Sequence, residues 1–434
     1  MASTSPALRG TQPPANMRRV TVASSIGLFT EFYDNGIYGF LAATLASVFF
    51  PAENPSIALI ASFAAFAVTF AFRPIGGVIL GLMSDRIGRR PVMVLALILM
   101  TAATTAIGLL PGYATWGIVA PALLLIARVV QGISAGGEVS TAMSFVGEYS
   151  EPARRGYRMA WAQAGTTLAL LSGSALSFAM TELLGPEAMA AWGWRIPFLV
   201  AAPLGIIGFY IRARLEETPA FVELEDTGNI SLHPLRDTFS RGNLRSLLLA
   251  AAIPLLNSAG FYVLFIYTPT FLVNEVHLER PTSLAISACM LICATIGIPI
   301  AGHLSDRVGR RPVLIWSAIL LALIAYPCYA LFSSGSVVLA AVGGGILGLV
   351  FAGNAGVIHP ALFEMFPTHM RNTSYSLGYN FTTAVFGGAG PLIVTALIAR
   401  TGDIHIPIYF MIITAIGTAI ATLATRETSA RSAR

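Results

Sequence analysis

Gly81-Leu-Met-Ser-Asp-Arg-Ile-Gly-Arg-Arg-Pro-Val92 returns almost verbatim as Gly302-His-Leu-Ser-Asp-Arg-Val-Gly-Arg-Arg-Pro-Val313. Each copy sits between two long apolar runs, the first between runs two and three and the second between runs eight and nine. Too many residues match for two basic turns of separate origin. Equal placement in two sets of six runs implies an internal duplication.

The runs around these turns identify the solvent. Of 434 residues, 55% are hydrophobic and only 11% charged, whereas a soluble domain carries about a quarter charged residues. Apolar stretches of about 20 residues, enough to cross a bilayer, recur from end to end. Backbone groups in hydrocarbon must be satisfied within each segment or in a closed barrel. Continuous runs in place of ten-residue alternations exclude the barrel. The expected fold is therefore an all-α membrane protein, twelve transmembrane helices in two six-helix pseudo-symmetric halves related by an axis along the membrane normal. The predicted spans are 20–50, 57–84, 91–111, 116–148, 157–182, 193–213, 246–274, 282–305, 312–332, 336–365, 373–399 and 405–424. They divide the chain into a tail (1–19), an N-terminal half (20–214), a polar linker (215–243), a C-terminal half (244–425) and a short tail (426–434).

Charge orients the bundle. Every basic residue is Arg, and 21 of the 26 fall on one side of this map. The exceptions are Arg73, Arg128 and Arg195, within or at the ends of spans, and Arg280 and Arg400 on the far side. The positive-inside rule puts both termini and the linker in the cytoplasm, and the bacterial inner membrane is the expected location. Arginines scattered among short loops argue against nucleic-acid binding despite the net charge of +5. Residues 1–19 are polar and the first apolar run is of spanning length, so no cleavable signal is expected. Cys289, Cys293 and Cys328 lie in apolar runs and read as packing residues, with no metal or disulfide spacing.

The repeated turn has its own chemistry. Its glycines let two helices approach closely, and Asp85 and Asp306 can accept from arginines or helix N-terminal amides. Its arginines are expected to meet the anionic inner leaflet. Gly81, Asp85, Arg86, Gly88, Arg89 and Arg90, with Gly302, Asp306, Arg307, Gly309, Arg310 and Arg311, form a candidate clasp between the halves. Charge that merely fixes topology is the alternative.

Ionisable groups inside spans are costly and point to function. Glu31 and Asp34 lie three apart on one face of the first span, and two such carboxylates are expected to titrate as a coupled pair. Arg128, a third of the way into span four, is at a depth compatible with Asp34. It either alternates between Asp34 and a substrate carboxylate, coupling proton to substrate, or forms a permanent ion pair. Arg73 either contacts substrate or pairs with Glu138 or another acid. Tyr33, Asn35, Gln131, Gln163, Asn257, Tyr262, Tyr267, Asn354, His359 and Asn380 are candidate cavity residues. For each the other reading is a helix–helix hydrogen bond. The Gly-rich stretches suit close helix packing; no strand precedes them and there is no P-loop Lys, so ATP-driven transport is not expected. Nucleophile–base pairs, metalloprotease motifs and cofactor motifs are absent from the sequence, as are signalling modules in the short tails. An enzyme or a receptor is thus disfavoured, and no cofactor is expected.

The repeated turn, together with Arg128-Val-Val-Gln-Gly132, resembles the major facilitator superfamily. Glu31-Phe-Tyr-Asp34, Arg73-Pro-Ile-Gly-Gly, Gln131-Gly-Ile-Ser-Ala-Gly-Gly-Glu138, Trp192-Gly-Trp-Arg-Ile-Pro-Phe198, Leu215-Glu-Glu-Thr-Pro-Ala-Phe221 and Glu364-Met-Phe-Pro-Thr-His-Met-Arg371 are similar to its metabolite:proton symporter branch. That resemblance implies alternating access and proton-coupled import of proline, betaine, α-ketoglutarate, citrate or shikimate. A monomer with small-molecule substrate, protons and lipids as partners is expected. Proton-driven efflux is the rival within transport, disfavoured by the charged constellation. Two departures stand out: Asn35 replaces the aromatic usual after the span-one acid, and the sequence reaches Arg434 without the heptads of osmosensing relatives, so osmotic activation is not expected.

Overall fold

Breaks in the apolar pattern become helix ends. A computed structural model describes residues 17–231 and 233–429; of the expected tails 1–19 and 426–434, the parts 1–16 and 430–434, with Arg9, Arg431 and Arg434, lie outside the described residues. Helix α1 spans Met17–Phe40 and continues after Leu41 as Ala42–Phe49. The remainder of the first half is α2 (Pro55–Ile87), α3 (Arg89–Leu109), α4 (Val119–Tyr149), α5 (Arg155–Ala188) and α6 (Arg195–Arg212). Two short helices, Pro219–Asp226 and Pro234–Thr238, follow in the polar segment. The second half is α7 (Leu244–Asn274), α8 (Arg280–Val308), α9 (Arg310–Phe332), α10 (Val337–Glu364), α11 (Thr368–Thr401) and α12 (Ile406–Leu423).

Eleven of these, α2 to α12, are long and apolar enough to cross a membrane. The twelfth crossing is α1, where buried Glu31, Asp34 and Asn35 lower the apolar content. The sequence reading gave it as one run over 20–50; the helix instead has a local break at Leu41, bridged by Leu41 N–H to Ile37 carbonyl (3.0 Å) and Leu45 N–H to Leu41 carbonyl (2.8 Å). Within the repeated turn, Gly88 (φ 97°) and Gly309 (φ 105°) separate α2 from α3 and α8 from α9. That left-handed backbone is why a glycine stands there in both copies.

The halves meet along α5 against α8 and α2 against α11. Within the first half, α4 packs on α2 so closely that a Cβ on Gly136 would sit 2.3 Å from the Arg73 carbonyl oxygen. Small residues let helices approach this way where no hydrophobic force drives them together. Both α7 and α11 contain a π-helical turn, Tyr262–Tyr267 and Thr383–Gly388, a local widening that redirects side chains and recurs at functional sites.

Candidate functional site

One helix supplies Glu31 and Asp34, and three others supply their partners. Arg128 Nη1 on α4 donates to Asp34 Oδ2 at 3.0 Å. Thr104 on α3 (3.0 Å) and Gln131 on α4 (2.7 Å) both donate to Asp34 Oδ1. The Arg128 guanidinium also lies 3.8 Å from the centre of the Tyr38 ring. Asp34 is thus held by three donors in the protein interior. Glu31, one turn earlier, faces Arg73 on α2 at 2.8 Å, both fully buried. This second pair is close, but its angles fall outside hydrogen-bond geometry, and among the described residues the Glu31 oxygens and the Arg73 nitrogens have no well-angled hydrogen-bond partner. Desolvated charge left half-satisfied is expensive. The two acids expected to titrate as a pair are each turned toward a separate guanidinium.

Of the acids open to Arg73, Glu31 is the one it meets, since Glu138 is taken. Arg212, which the map counted among loop arginines, is buried at the end of α6 and grips Glu138 through both terminal nitrogens, Nη1 at 3.0 Å. It donates as well to the carbonyls of Ala23 (3.1 Å) and Met93 (2.7 Å). A Cβ on Gly27 would fall into this pair, so α1 carries glycine where the guanidinium passes.

The second half brings aromatic groups to the Glu31–Arg73 pair. Tyr262 and Tyr379 interact electrostatically with both Arg73 and Glu31. The Arg73 guanidinium lies 4.5 Å from the centre of the Phe70 ring, and Phe70 packs edge-on against Tyr262 at 4.8 Å. His359 shares a hydrogen bond with the Tyr375 hydroxyl and lies 5.4 Å from the Tyr379 ring, its Nε2 unpartnered. Asn35, Gln163, Asn257 and Asn354 are buried, each with at least one polar atom lacking a partner.

Three candidates sit elsewhere. Tyr33 donates to the Pro197 carbonyl (2.9 Å), tying α1 to α6. Tyr267 lies beside Thr395 and Tyr329 inside the second half. Asn380 donates across the halves to the Gly136 carbonyl (2.6 Å), which makes it a closure contact in this state.

The repeated turns build two matching networks on the face where α1 begins and α12 ends, the terminal face. Asp85 accepts from the backbone N–H and hydroxyl of Thr373 (2.9 and 2.7 Å) at the start of α11. Asp306 accepts from the backbone N–H of Gly156 (2.9 Å) and Tyr157 (2.8 Å) at the start of α5. Each acid therefore caps a helix of the opposite half. The central arginines do not meet lipid headgroups as expected: Arg89 and Arg310 are buried and pair with Glu148 (3.2 Å) and Glu364 (3.2 Å). Those glutamates also reach across, Glu148 to Arg371 (2.9 Å) and Glu364 to Arg155 (3.5 Å). Glu217 and Glu427 then cap α3 and α9 through the backbone N–H groups of Arg90 (3.0 Å) and Arg311 (3.0 Å). Arg86, Arg90 and Arg307 are the exposed members.

The sequence carried a signal for these partners that motif reading passed over. Glu148–Arg155 and Glu364–Arg371 have the same seven-residue spacing, and Glu217-Thr218 and Glu427-Thr428 follow α6 and α12 alike. Thr104 had no signal; a single Thr in an apolar helix looks like any other.

The opposite face is more open. A vestibule of about 960 Å³ lies between α1 and α2 on one side and α7 and α11 on the other, lined by Ser47, Leu59, Asn274, Glu275 and Thr395. Below it, Phe66 and Phe70 interlock with Tyr262, and Phe32 with Phe261. Along α2, Arg73 is about 20 Å deeper than Leu59 at 1.5 Å per residue.

Known proteins with this pattern are membrane transporters. The family model described as Major Facilitator Superfamily matches residues 24–297 and 255–434. The chain is 34% identical over 427 residues to the proline/betaine transporter of Salmonella typhimurium, covering 96% of this chain and 84% of that one. It is 35% identical over 399 residues to the citrate-proton symporter of Klebsiella pneumoniae, covering 91% and 89%. The ectoine/proline transporter of Corynebacterium glutamicum is 33% identical over 418 residues, covering 93% and 83%. Among solved structures, the proton:xylose symporter XylE bound to 6-bromo-6-deoxy-D-glucose superposes with a TM-score of 0.80 at 15% identity, covering 95% and 96%. At that identity the likeness is one of fold.

Proposed function

Because this chain belongs to the major facilitator superfamily, we propose that its buried ion pairs carry out proton-coupled import of a small zwitterionic or carboxylate metabolite. It is a secondary transporter whose relatives include proline/betaine and citrate-proton symporters, and proton-coupled uptake of small metabolites is its function. The observation that carries the site reading is the unsaturated Glu31–Arg73 pair among aromatic rings. A guanidinium with free donors recognises a carboxylate, Glu31 offers the complementary anion, and the faces of Tyr262 and Tyr379 suit a cationic ammonium. Such a site fits a zwitterion of the betaine or amino-acid kind.

Coupling follows from differential contacts in two states. With Asp34 ionised, Arg128 is held; protonation removes the attraction and frees the guanidinium and Gln131 to rearrange. Substrate at Arg73 competes with Glu31 in the same way, so proton and substrate bind together. The face with the termini is cytoplasmic in this reading, closed by the Asp85 and Asp306 networks while the vestibule faces outward. The halves, 20–214 and 244–425, then rock about the site, joined by the linker 215–243. The transporter works as a monomer in the bacterial inner membrane. Efflux is not favoured, since the site presents charge pairs where a weakly charged aromatic pocket would be needed.

Counterflow in vesicles preloaded with betaine, proline or citrate tests the class. Exchange of external labelled substrate, lost in Arg73→Ala, supports the reading; binding without exchange in every case would overturn it.

A further inference from the structure

The two networks on the terminal face are matched in their charges but not in what covers them. Glu148–Arg155 and Glu364–Arg371 align with one spacing, which sets Arg154 opposite Met370. Met370 is 1% exposed and lies under the linker: Asn243 donates to its sulfur (3.5 Å), and Thr238 shares a hydrogen bond with Ser374 (2.8 Å). The short helix Pro234–Thr238 thereby fills the crevice between α2 and α11. The corresponding crevice between α8 and α5 is edged by Ser429 and has no linker helix laid into it among the described residues. It is a groove of about 1070 Å³, lined by Arg154, Tyr157, Trp161, Ile296, Ile300 and His303.

A second groove of about 590 Å³ runs along the other side of the start of α5, between it and α1, and reaches Arg18, Val22 and Phe29. The two grooves share Arg154, Tyr157 and Trp161. Their walls are apolar and outward-facing: Ile296 is 60%, Ile300 61% and Trp161 50% exposed. In a membrane helix these surfaces face hydrocarbon. Arg154 at their junction is exposed and has no ion-pair partner among the described residues.

We infer that these joined grooves are a binding site for an anionic phospholipid of the leaflet on the terminal face, its phosphate at Arg154 and one acyl chain along each groove. Two apolar channels diverging from the shared Arg154, with Arg18, Arg158 and Arg307 further along their walls, match two chains joined at one anionic headgroup, and an interfacial aromatic such as Trp161 sits where chain meets headgroup. Occupation by the chain's own tails is opposed by charge, since residues 1–16 and 430–434 contain arginines and no acid. The lipid does for one half what the linker does for the other, bridging α5 and α8 across the two halves. This inference does not depend on which metabolite is carried.

Trp161 provides the reporter. The full chain is placed in phosphatidylcholine vesicles containing either dibromo-phosphatidylglycerol or dibromo-phosphatidylcholine, and Trp fluorescence quenching is followed against mole fraction. The quenching component that Trp161→Phe removes is expected to reach half-maximum at about a five-fold lower mole fraction for the anionic lipid, the preference one surface guanidinium confers. Arg154→Met, which copies the other half and leaves Arg155 and Glu364 in place, should lower that preference, while Arg18, Arg158 and Arg307 remain along the grooves. Equal quenching in the unmodified protein, a preference unchanged in Arg154→Met, or a Trp161 reached by neither lipid would each overturn the site.

Discussion

Arg128 and Asp34 meet at 3.0 Å across α4 and α1, and the carboxylate is completed by Thr104 and Gln131. All four groups lie in the interior of the first half, so breaking this contact requires a change in charge or a competitor. That requirement makes it a plausible coupling element in energetic terms: removing one partner of a buried pair costs about 3–5 kcal/mol. Asp34→Asn keeps the shape and removes the charge. We expect it to lose gradient-driven accumulation by at least about ten-fold, about 1.4 kcal/mol of coupling, while labelled substrate still exchanges in counterflow. Loss of both in a folded protein would place Asp34 in substrate binding instead.

The Glu138–Arg212 pair has no unpartnered donor facing a cavity and ties α4 to α6 with extra bonds to α1 and α3. It is predicted to be structural. Glu138→Ala strands a buried guanidinium and should lower stability by about 3–5 kcal/mol. Thermal unfolding in detergent measures this; an unchanged midpoint would show that Arg212 finds another partner.

Asp85 joins the halves through the amide and hydroxyl of Thr373, so moving the halves apart at this face must break these bonds. Asp85→Asn should weaken closure by about 1.5–3 kcal/mol, the value of a charge-assisted bond. In a background lacking the three native cysteines, Ser376→Cys at this interface should label with a bulky thiol reagent about ten-fold faster in the Asp85→Asn variant. Unchanged labelling would mean that the motif fixes topology alone.

Glu427 gives a pH dependence outside the membrane. Burial pushes its carboxyl up, but the backbone amides of Arg310, Ser429 and Arg311 outweigh this and hold it below the ordinary value of 4.5. A depressed carboxyl stabilises the folded state above its unfolded value, and the benefit disappears as pH falls through the folded value. At neutral pH Glu427→Gln should therefore lower the unfolding midpoint, and the gap to the unmodified protein should narrow below about pH 4.5. A constant gap from neutral to acid pH would contradict the assignment.

How far the sequence could be read depended on whether a contact is local or repeated. Twelve crossings, the duplication and the depth of Arg128 follow from hydropathy and spacing, because each span satisfies its own backbone. Partner choice among buried charges does not. Arg73 pairs with Glu31 because α2 lies against α1 at that level, and Arg212 reaches Glu138 because Gly27 leaves room; neither is encoded in spacing along one helix. Tyr33 fell outside the site for a similar reason, since one step around α1 turns it from Arg128 toward Pro197. The clasp aspartates were legible from the repeat, yet their arginines turn inward because Glu148 and Glu364 wait one helix away.

The most direct measurement of the central claim is uptake into proteoliposomes under an imposed inward proton gradient, with labelled betaine, proline and citrate, each with and without a protonophore. The account predicts accumulation of at least one of them above equilibrium, abolished by the protonophore and by Asp34→Asn. Accumulation that persists unchanged with the protonophore and in Asp34→Asn would contradict proton coupling through the Asp34–Arg128 pair.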